Sequence, residues 1–235
     1  MALPFFFEEN LSSQSTFILS EETSKHVIQV LRMHKGEKLK MTDGKGQVLT
    51  SQIIYENKKA TEVQFLSVEI QQAPTKKITI AISLIKNNSR FEWFLEKATE
   101  IGVTEIIPIL CERTEKQHFR YDRMHNIVIS AMLQSQQAWL PRLQPLTEFR
   151  KVVESRDDTQ KFIAHCDDDS ERSKINRINN LADSIIILIG PEGDFTKSEI
   201  DIAHQNHFVS ASLGDTRLRT ETAGIVSATI FNMLK

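Results

Sequence analysis

Two cysteines in 235 residues are too few for a disulfide framework, and neither shares metal-ligand spacing with a histidine. Cys111 and Cys166 each follow an apolar, strand-like run, and both read as buried free thiols of a cytoplasmic protein. The chain also lacks any apolar stretch of about 18 residues and any charged-then-apolar leader, so neither membrane insertion nor secretion is expected. It lacks a strong field: the net charge is −2, and an RNA partner would have to be held by local patches. Neither GxGxxG nor GxxxxGK occurs, which argues against a dinucleotide fold and a phosphate cradle. Internal repeats and low-complexity segments are missing too.

What is present is an ordinary globular composition, with 40% hydrophobic and 26% charged residues. The length suits one large domain, or one medium and one small. Residues 1–73 read as mostly β. Ser20 can cap a short helix running to Leu31, with Gly36 after it. Glu37–Thr42, Gln47–Tyr55 and Ala60–Ile70 are strand-like, and Asp43-Gly44 between the first two is a hairpin signal. A small barrel fits this pattern. The polar, proline-containing stretch Gln71–Lys77 is the expected boundary, giving domains 1–73 and 74–235.

Beyond it, strands and helices alternate, as in an α/β domain with a mainly parallel sheet. Ile78–Ile85 is the first strand. Ser89-Arg90-Phe91-Glu92 reads as a capping box, opening a helix that Gly102 stops. Phe91, Phe94, Leu95, Ala98 and Ile101 form its buried face. Ile106–Leu110 is a strand, Asp122 to Ala138 a longer helix, and Phe162–Cys166, Ile185–Ile189 and Phe208–Leu213 further strands.

The run SIIILIGPEGDFTKSEI holds the most information. Ile185 to Ile189 show no alternation, which fits a strand covered on both faces. Thr196-Lys197-Ser198-Glu199 is a capping box for the next helix. GPEGDF is therefore a loop at the carboxyl end of a buried parallel strand, where open α/β sheets bind ligands. A second glycine loop follows the last strand, in SLGDTRLRTETAGIVSATIFNML, with Thr220 or Thr222 as candidate cap of the final helix. Two such loops can face each other, with Ile189, Leu213 and Leu218 walling a flat apolar group and backbone amides reading its edge. A nucleoside suits such a pocket better than a bare phosphate. Gly224 and Ala228 lie on one face of the last helix, either to admit another helix closely or to pack within the chain.

HVIQVLRM, FLEKATEIGV with IIPILCER, LIGPEGDF and LGDTRLRTETA occur in that order. Together they resemble the ribosomal RNA small-subunit methyltransferase E family, of the SPOUT class. The resemblance implies a PUA-like β-barrel followed by a trefoil-knotted α/β domain, S-adenosylmethionine as methyl donor, and a homodimer. It implies methylation of N3 of a uridine in 16S RNA, free or in the small subunit, with no metal. It places the donor at Ile189, Gly190, Pro191, Glu192, Gly193, Leu213, Gly214, Leu218, Thr220 and Thr222, with His165 beside them. Several positions depart from the family pattern. Phe5-Phe6-Phe7 lacks a preceding arginine, GPEGG ends here in Asp194, and LGPR becomes Leu213-Gly214-Asp215-Thr216 with Arg217 one place later. Leu133 and Gln137 replace the Glu and Arg around QS in the long helix.

Each site residue also has a plainer reading. Arg219 is either a solvated loop arginine or the catalytic donor, and Glu221 either a favourable first-turn acid or a proton acceptor. Glu192 either supports the loop or meets the ligand, and His165 either packs or lines the cleft. Asp167-Asp168-Asp169 reads as a solvated loop rather than a metal site. Arg32, Lys86, Arg90 and Arg113, with Lys116, Arg120 and Arg123, are candidates for an RNA face. The alternative function is a non-catalytic RNA-binding module, which would not need the paired glycine loops.

Overall fold

The computed structural model describes residues 3–11, 15–166, 173–174 and 181–234. The chain forms two compact units: Met1–Ala73 with Met132–Leu140, and Pro74–Ala131 with Pro141–Lys235.

The first unit is a five-stranded sheet. Its strands are β1 (Phe5–Phe7), β2 (Thr16–Ile18), β3 (Lys38–Thr42), β4 (Gln47–Tyr55) and β5 (Glu62–Ile70), in the order β1-β3-β4-β5-β2. β3 and β4 form the expected hairpin. Asp43 Oδ1 closes its turn by accepting from the Lys45 amide at 2.7 Å, and Gly44 and Gly46 supply φ values of 72° and 95°. Gly46 has a second reason to lack a side chain: a Cβ there would stand 2.5 Å from the Trp139 ring. The indole donates to the Gln71 carbonyl at 3.1 Å, so Met132–Leu140 is packed into this unit. Ser20 caps α1 (Glu21–Lys25) as expected, but the regular helix ends there. A π-helical turn over His26–Val30 follows, and Arg32 beyond it is exposed at φ 53°. Phe6, Val27, Leu39, Met41, Leu49 and Val63 belong to the core.

The second unit is a parallel sheet covered on both faces. It contains β6 (Lys77–Ser83), α2 (Asn88–Ile101), β7 (Glu105–Leu110), α3 (Tyr121–Gln134), the short β8 (Arg142–Leu143) and β9 (Thr147–Glu148), and α4 (Phe149–Ser155). Then come β10 (Gln160–Ala164), β11 (Ser173–Lys174), β12 (Ser184–Ile189), α5 (Lys197–Gln205), β13 (Val209–Ser212) and α6 (Thr220–Met233). The strand order is β11-β13-β10-β12-β6-β7-β8, with β9 also on β7, and every pair is parallel. β12 lies between β10 and β6, and Ile185 to Ile189 are buried throughout, which is why that run shows no alternation. One core joins Ile163, Ile186 and Leu188 to Phe149, Phe195 and Ile200 of the α4–α5 side.

Three expectations are corrected. α2 starts two residues earlier than the Ser89 box implies: Asn87 is the cap, accepting from the Ser89 amide at 2.9 Å, and Glu92 instead binds Arg123. The stop at Gly102 holds, with φ 97°. The long helix ends at Gln134 rather than Ala138. The Gly224–Ala228 face packs within the chain, since a Cβ on Gly224 would stand 2.5 Å from the Phe94 ring and 3.1 Å from Ile82.

The amino ends of four strands are tied by a buried polar cluster. The Arg156 guanidinium donates to Asp158 at 2.6 Å and 3.1 Å and to Thr79 at 3.2 Å, and pairs with Glu105 at 3.0 Å. Ser184 donates to Asp158 at 2.8 Å. Burial alone would raise the Asp158 carboxyl, but the bonds from Arg156 and Ser184 outweigh it and hold the group below its ordinary 3.8. Its stabilisation is therefore present above the ordinary value and is lost as pH falls through the lower folded value. We expect Asp158→Asn to cost about 3 kcal/mol at neutral pH, with arginine left short of its partner. In urea unfolding the gap between the two proteins should hold steady down to about pH 5 and narrow below it. A gap independent of pH down to pH 2 would remove Asp158 from this role.

Candidate active site

At the opposite, carboxyl end of the sheet the chain leaves β10, β12 and β13 through neighbouring loops, which enclose a pocket of about 890 Å³. Such a volume accommodates a nucleoside-sized ligand. Ile189, Leu213, Leu218, Ala164 and Ala211 supply apolar wall, while Glu192, Asp215, Arg217 and Arg219 bring charge.

The first wall is GPEGDF. At Gly190 a Cβ would press to 3.1 Å of the Phe195 ring, which folds back over the loop, so a larger residue needs that ring to give way. Asp194 has φ 64°, a left-handed conformation that Asp tolerates better than most residues. Its carboxylate explains its presence: one oxygen accepts from the Phe195 amide and the other from the Cys166 amide, both at 2.8 Å. That joins the exits of β10 and β12. From beyond β7, Arg113 donates to the Gly193 carbonyl at 2.8 Å and the Phe195 carbonyl at 3.4 Å. Glu192 is exposed and accepts from the Lys86 amide at 3.2 Å. The α5 capping box Thr196–Glu199 forms as expected, and Glu112 extends it by accepting from the Thr196 hydroxyl at 3.1 Å.

The second wall is the stretch between β13 and α6. Gly214 has φ 145°, and nothing lies within 4 Å of where its Cβ would be, so its backbone is open to the pocket. The cap of α6 is Arg219, without a side-chain cap bond. Thr220 is not the cap; its hydroxyl donates to the Gly190 carbonyl at 3.0 Å and links the two walls. Glu221, 6% exposed, is ion-paired to Arg90 of α2 at 3.6 Å. The Arg219 side chain makes no ion pair or hydrogen bond among the described residues and is exposed. His165 is buried at the end of β10, and its Nε2 shares a 2.7 Å hydrogen bond with Ser210, which also meets His204 at 2.8 Å.

Comparison with known proteins is consistent from three sides. Residues 71–232 match the RNA methyltransferase domain family and residues 19–66 the RNA methyltransferase PUA domain. Ribosomal RNA small subunit methyltransferase E of Synechocystis is 30% identical over 94% of this chain and 74% of its own. The chain belongs to the ribosomal RNA small subunit methyltransferase E family. A probable rRNA-methyltransferase from Porphyromonas gingivalis shares its fold at TM-score 0.91, with 35% identity over 99% of this chain and 98% of the other. The Neisseria gonorrhoeae member of this family, solved bound to S-adenosyl methionine, superposes at TM-score 0.89 with 28% identity, over 99% and 98% of the two chains.

Seen as a methyltransferase E family chain, most of the expected donor positions converge. Ile189, Gly190, Pro191, Glu192, Leu213, Gly214, Leu218, Thr220 and His165 line the pocket, as do Arg219 and Glu221. Gly193 and Thr222 do not line it; Gly193 lies against the Arg113 side chain. Of the four expected RNA residues, Arg90 lines the pocket and Arg113 clamps its loop. Lys86 is paired with Glu115 at 2.9 Å, and Arg32 belongs to the first unit. Cys166 is exposed and lines the pocket, contrary to the buried thiol expected, whereas Cys111 is buried. Burial, and next to it the Glu199 charge, push the Cys111 thiol well up, so it is inert. Asp167-Asp168-Asp169 lies outside the described residues. Among those described, no three His, Cys, Asp or Glu side chains are grouped to hold a metal ion.

Asp194 and Arg217, noted in the sequence only as departures from the family pattern, also belong to the site, the latter reaching the Glu192 carbonyl at 3.5 Å. The usable signal for Asp194 was its place in a glycine-rich turn, since Asp is among the few side chains suited to φ > 0. We expect Arg113→Ala to loosen the loop without unfolding the unit. The Gly193 to Phe195 amides should exchange at least about 10-fold faster, the scale of one hydrogen bond to a charged group. Unchanged exchange there would show that the clamp holds nothing.

Proposed function

We propose that this chain is an S-adenosylmethionine-dependent methyltransferase that modifies N3 of a uridine in small-subunit ribosomal RNA. The observation that carries the reading is the pocket itself, with two glycine-opened walls at the carboxyl ends of three parallel strands and Arg219 at its edge. The residues present fit the donor. Gly214 leaves backbone open where any side chain would intrude, and Ile189, Leu213 and Leu218 offer apolar wall to an adenine. We assign Gly190, Pro191 and Glu192 to the same cradle, with His165 below. When bound, S-adenosylmethionine supplies an electrophilic methyl on a sulfonium, a chemistry that needs no metal.

The protein's own task is to make a uridine N3 nucleophilic. That nitrogen carries a proton, and losing it spreads negative charge onto O2 and O4 of the ring. A fixed positive donor beside those oxygens lowers the cost, more so where water is excluded. We assign Arg219 to this role: it immediately precedes α6, lines the pocket, and among the described residues has no internal partner to divert its planar fork. Glu221 was the candidate proton acceptor, but it is engaged by Arg90. We therefore assign it to aiming Arg90 at the substrate, a positioning role.

The reading extends to the rest of the chain. Residues 1–73 serve as the RNA-binding domain and 74–235 as the methyltransferase domain. A trefoil-knotted C-terminus is supported by the return of the chain after β13: Thr220 bonds to Gly190 after β12, and Gly224 lies near Ile82 of β6. The proposed homodimer can no longer use the Gly224 face. α6 keeps an outward stripe instead, with half-buried Val226 and Thr229 and exposed Met233, the last 76% exposed. No helix among the described residues is long and apolar enough to cross a membrane, and we place the enzyme in the cytoplasm with its RNA.

Four outcomes are expected. Arg219→Ala should retain donor affinity by calorimetry yet transfer labelled methyl to small-subunit RNA about 10²–10³-fold more slowly in single turnover. Arg219→Lys should recover little. Near-normal transfer by Arg219→Ala would remove this residue from the mechanism. Gly214→Val should abolish donor binding with the fold intact, because the strain and the added atoms fall in the pocket rather than in the core. Val226→Glu should shift the light-scattering mass from dimer to monomer; a wild-type protein already monomeric at micromolar concentration would contradict the dimer.

A further inference from the structure

A second feature of the same unit, outside the pocket, is a file of aromatic rings that runs from core to solvent. Phe94 and Phe91 of α2 are buried, with centroids 5.9 Å apart. Phe119 stands edge-on to Phe91 at 6.1 Å, and Tyr121 edge-on to Phe119 at 6.3 Å. His125, one turn further along α3, stacks on Tyr121 at 5.7 Å with the planes 13° apart. Tyr121 is 39% exposed, although its hydroxyl is tethered to the Leu143 carbonyl at 3.1 Å. An aromatic ring tethered at its tip and still partly open to solvent can receive another flat group beside those it already meets.

Positive charge surrounds these rings. Arg123 grips Glu92 with two bonds, at 2.7 Å and 3.0 Å. Lys116 and Arg120 pair with no acid among the described residues. The Arg123 hydrogen bond chiefly, working against burial, holds the Glu92 carboxyl below its ordinary value, and the charges of Arg120 and Lys116 add to it. One carboxylate therefore faces three cations, and two of those cations are left for an outside anion. The same helix also reaches the pocket: Arg90, which lines it, lies one residue before Phe91 and two before Glu92 on α2.

A partly exposed ring with such cations beside it suits unpaired RNA, since a base can stack on the former and phosphates settle on the latter. We propose that the Phe119–His125 surface holds the single-stranded RNA that flanks the reacting base. Tyr121 and His125 would stack a neighbouring base and Arg120 and Lys116 bind its phosphates. The inference rests on the RNA-methyltransferase reading, and it adds the form of the substrate: an unpaired segment, presented by its neighbours as well as by the base itself.

The test is fluorescence anisotropy with a labelled single-stranded oligouridylate of about 12 nucleotides, within the usual span of such sites. Tyr121→Ala should weaken binding about 5- to 100-fold, the scale of losing one stacked base. Tyr121→Phe, which keeps the ring and drops the bond to Leu143, should bind as the wild type does. Arg120→Gln should flatten the dependence of log affinity on log salt by about 0.7, one phosphate on a single strand. All three should bind S-adenosylmethionine normally in calorimetry. Wild-type affinity for RNA in a folded Tyr121→Ala overturns the proposal, and so does a Tyr121→Phe as weak as the alanine variant. A fall in light-scattering mass in Tyr121→Ala would mean that a second copy covers the rings, which overturns it as well. Should the wild type bind the donor but not the oligonucleotide, this proposal fails, while the methyltransferase reading is judged separately by methyl transfer to small subunits.

Discussion

The second unit depends on one strand that has no free side. Ile185 to Ile189 of β12 are bonded to β10 on one edge and β6 on the other, and both faces are covered. Such a strand can neither slip nor peel, because every displacement would bury a polar group or expose an apolar one. Its direction then fixes where chemistry can occur. The amino ends of the neighbouring strands are closed by the Arg156–Asp158–Glu105 cluster, and at the carboxyl ends the chain has to turn out through loops. The pocket lies where those turns gather, as is general for parallel sheets.

Loops are ordinarily the mobile part of a fold, and a site built from loops needs outside support. Here the support comes from residues that do not themselves need to touch a ligand. Arg113 holds the backbone of GPEGDF from one side, Asp194 ties it to the exit of β10, and Thr220 ties it to the start of α6. The His165–Ser210–His204 contacts brace β10 against β13 and α5 in the same way. Asp194 also shows how a departure from a family motif is absorbed: a glycine position accepts an aspartate because its carboxylate finds two backbone donors.

Much of this frame can be read from local pattern. The unbroken apolar run, the Thr196–Glu199 box, the Asp-Gly hairpin and the Gly102 stop are each decided by neighbours in sequence, and each appears where expected. What escaped reading depends on partners far along the chain. Arg90 and Arg113 looked like surface charge, yet one finds Glu221 and the other Gly193. Gly224 looked free for a partner helix, yet Phe94 fills the space above it. Ser89 and Asn87 are both good caps by type, and only the backbone path of the loop after β6 chose the asparagine. Cys166 follows an apolar run like Cys111, but it stands just past the strand end, where the sheet no longer covers it.

One specific chemistry is proposed for this pocket: methyl transfer to N3 of a uridine in small-subunit RNA. Its most direct test is mass spectrometry of nucleosides from small ribosomal subunits incubated with the protein and isotope-labelled S-adenosylmethionine. Label is expected in 3-methyluridine alone, confined to a single position of the RNA. Label in any other nucleoside, or none at all in subunits that lack the modification beforehand, would contradict it.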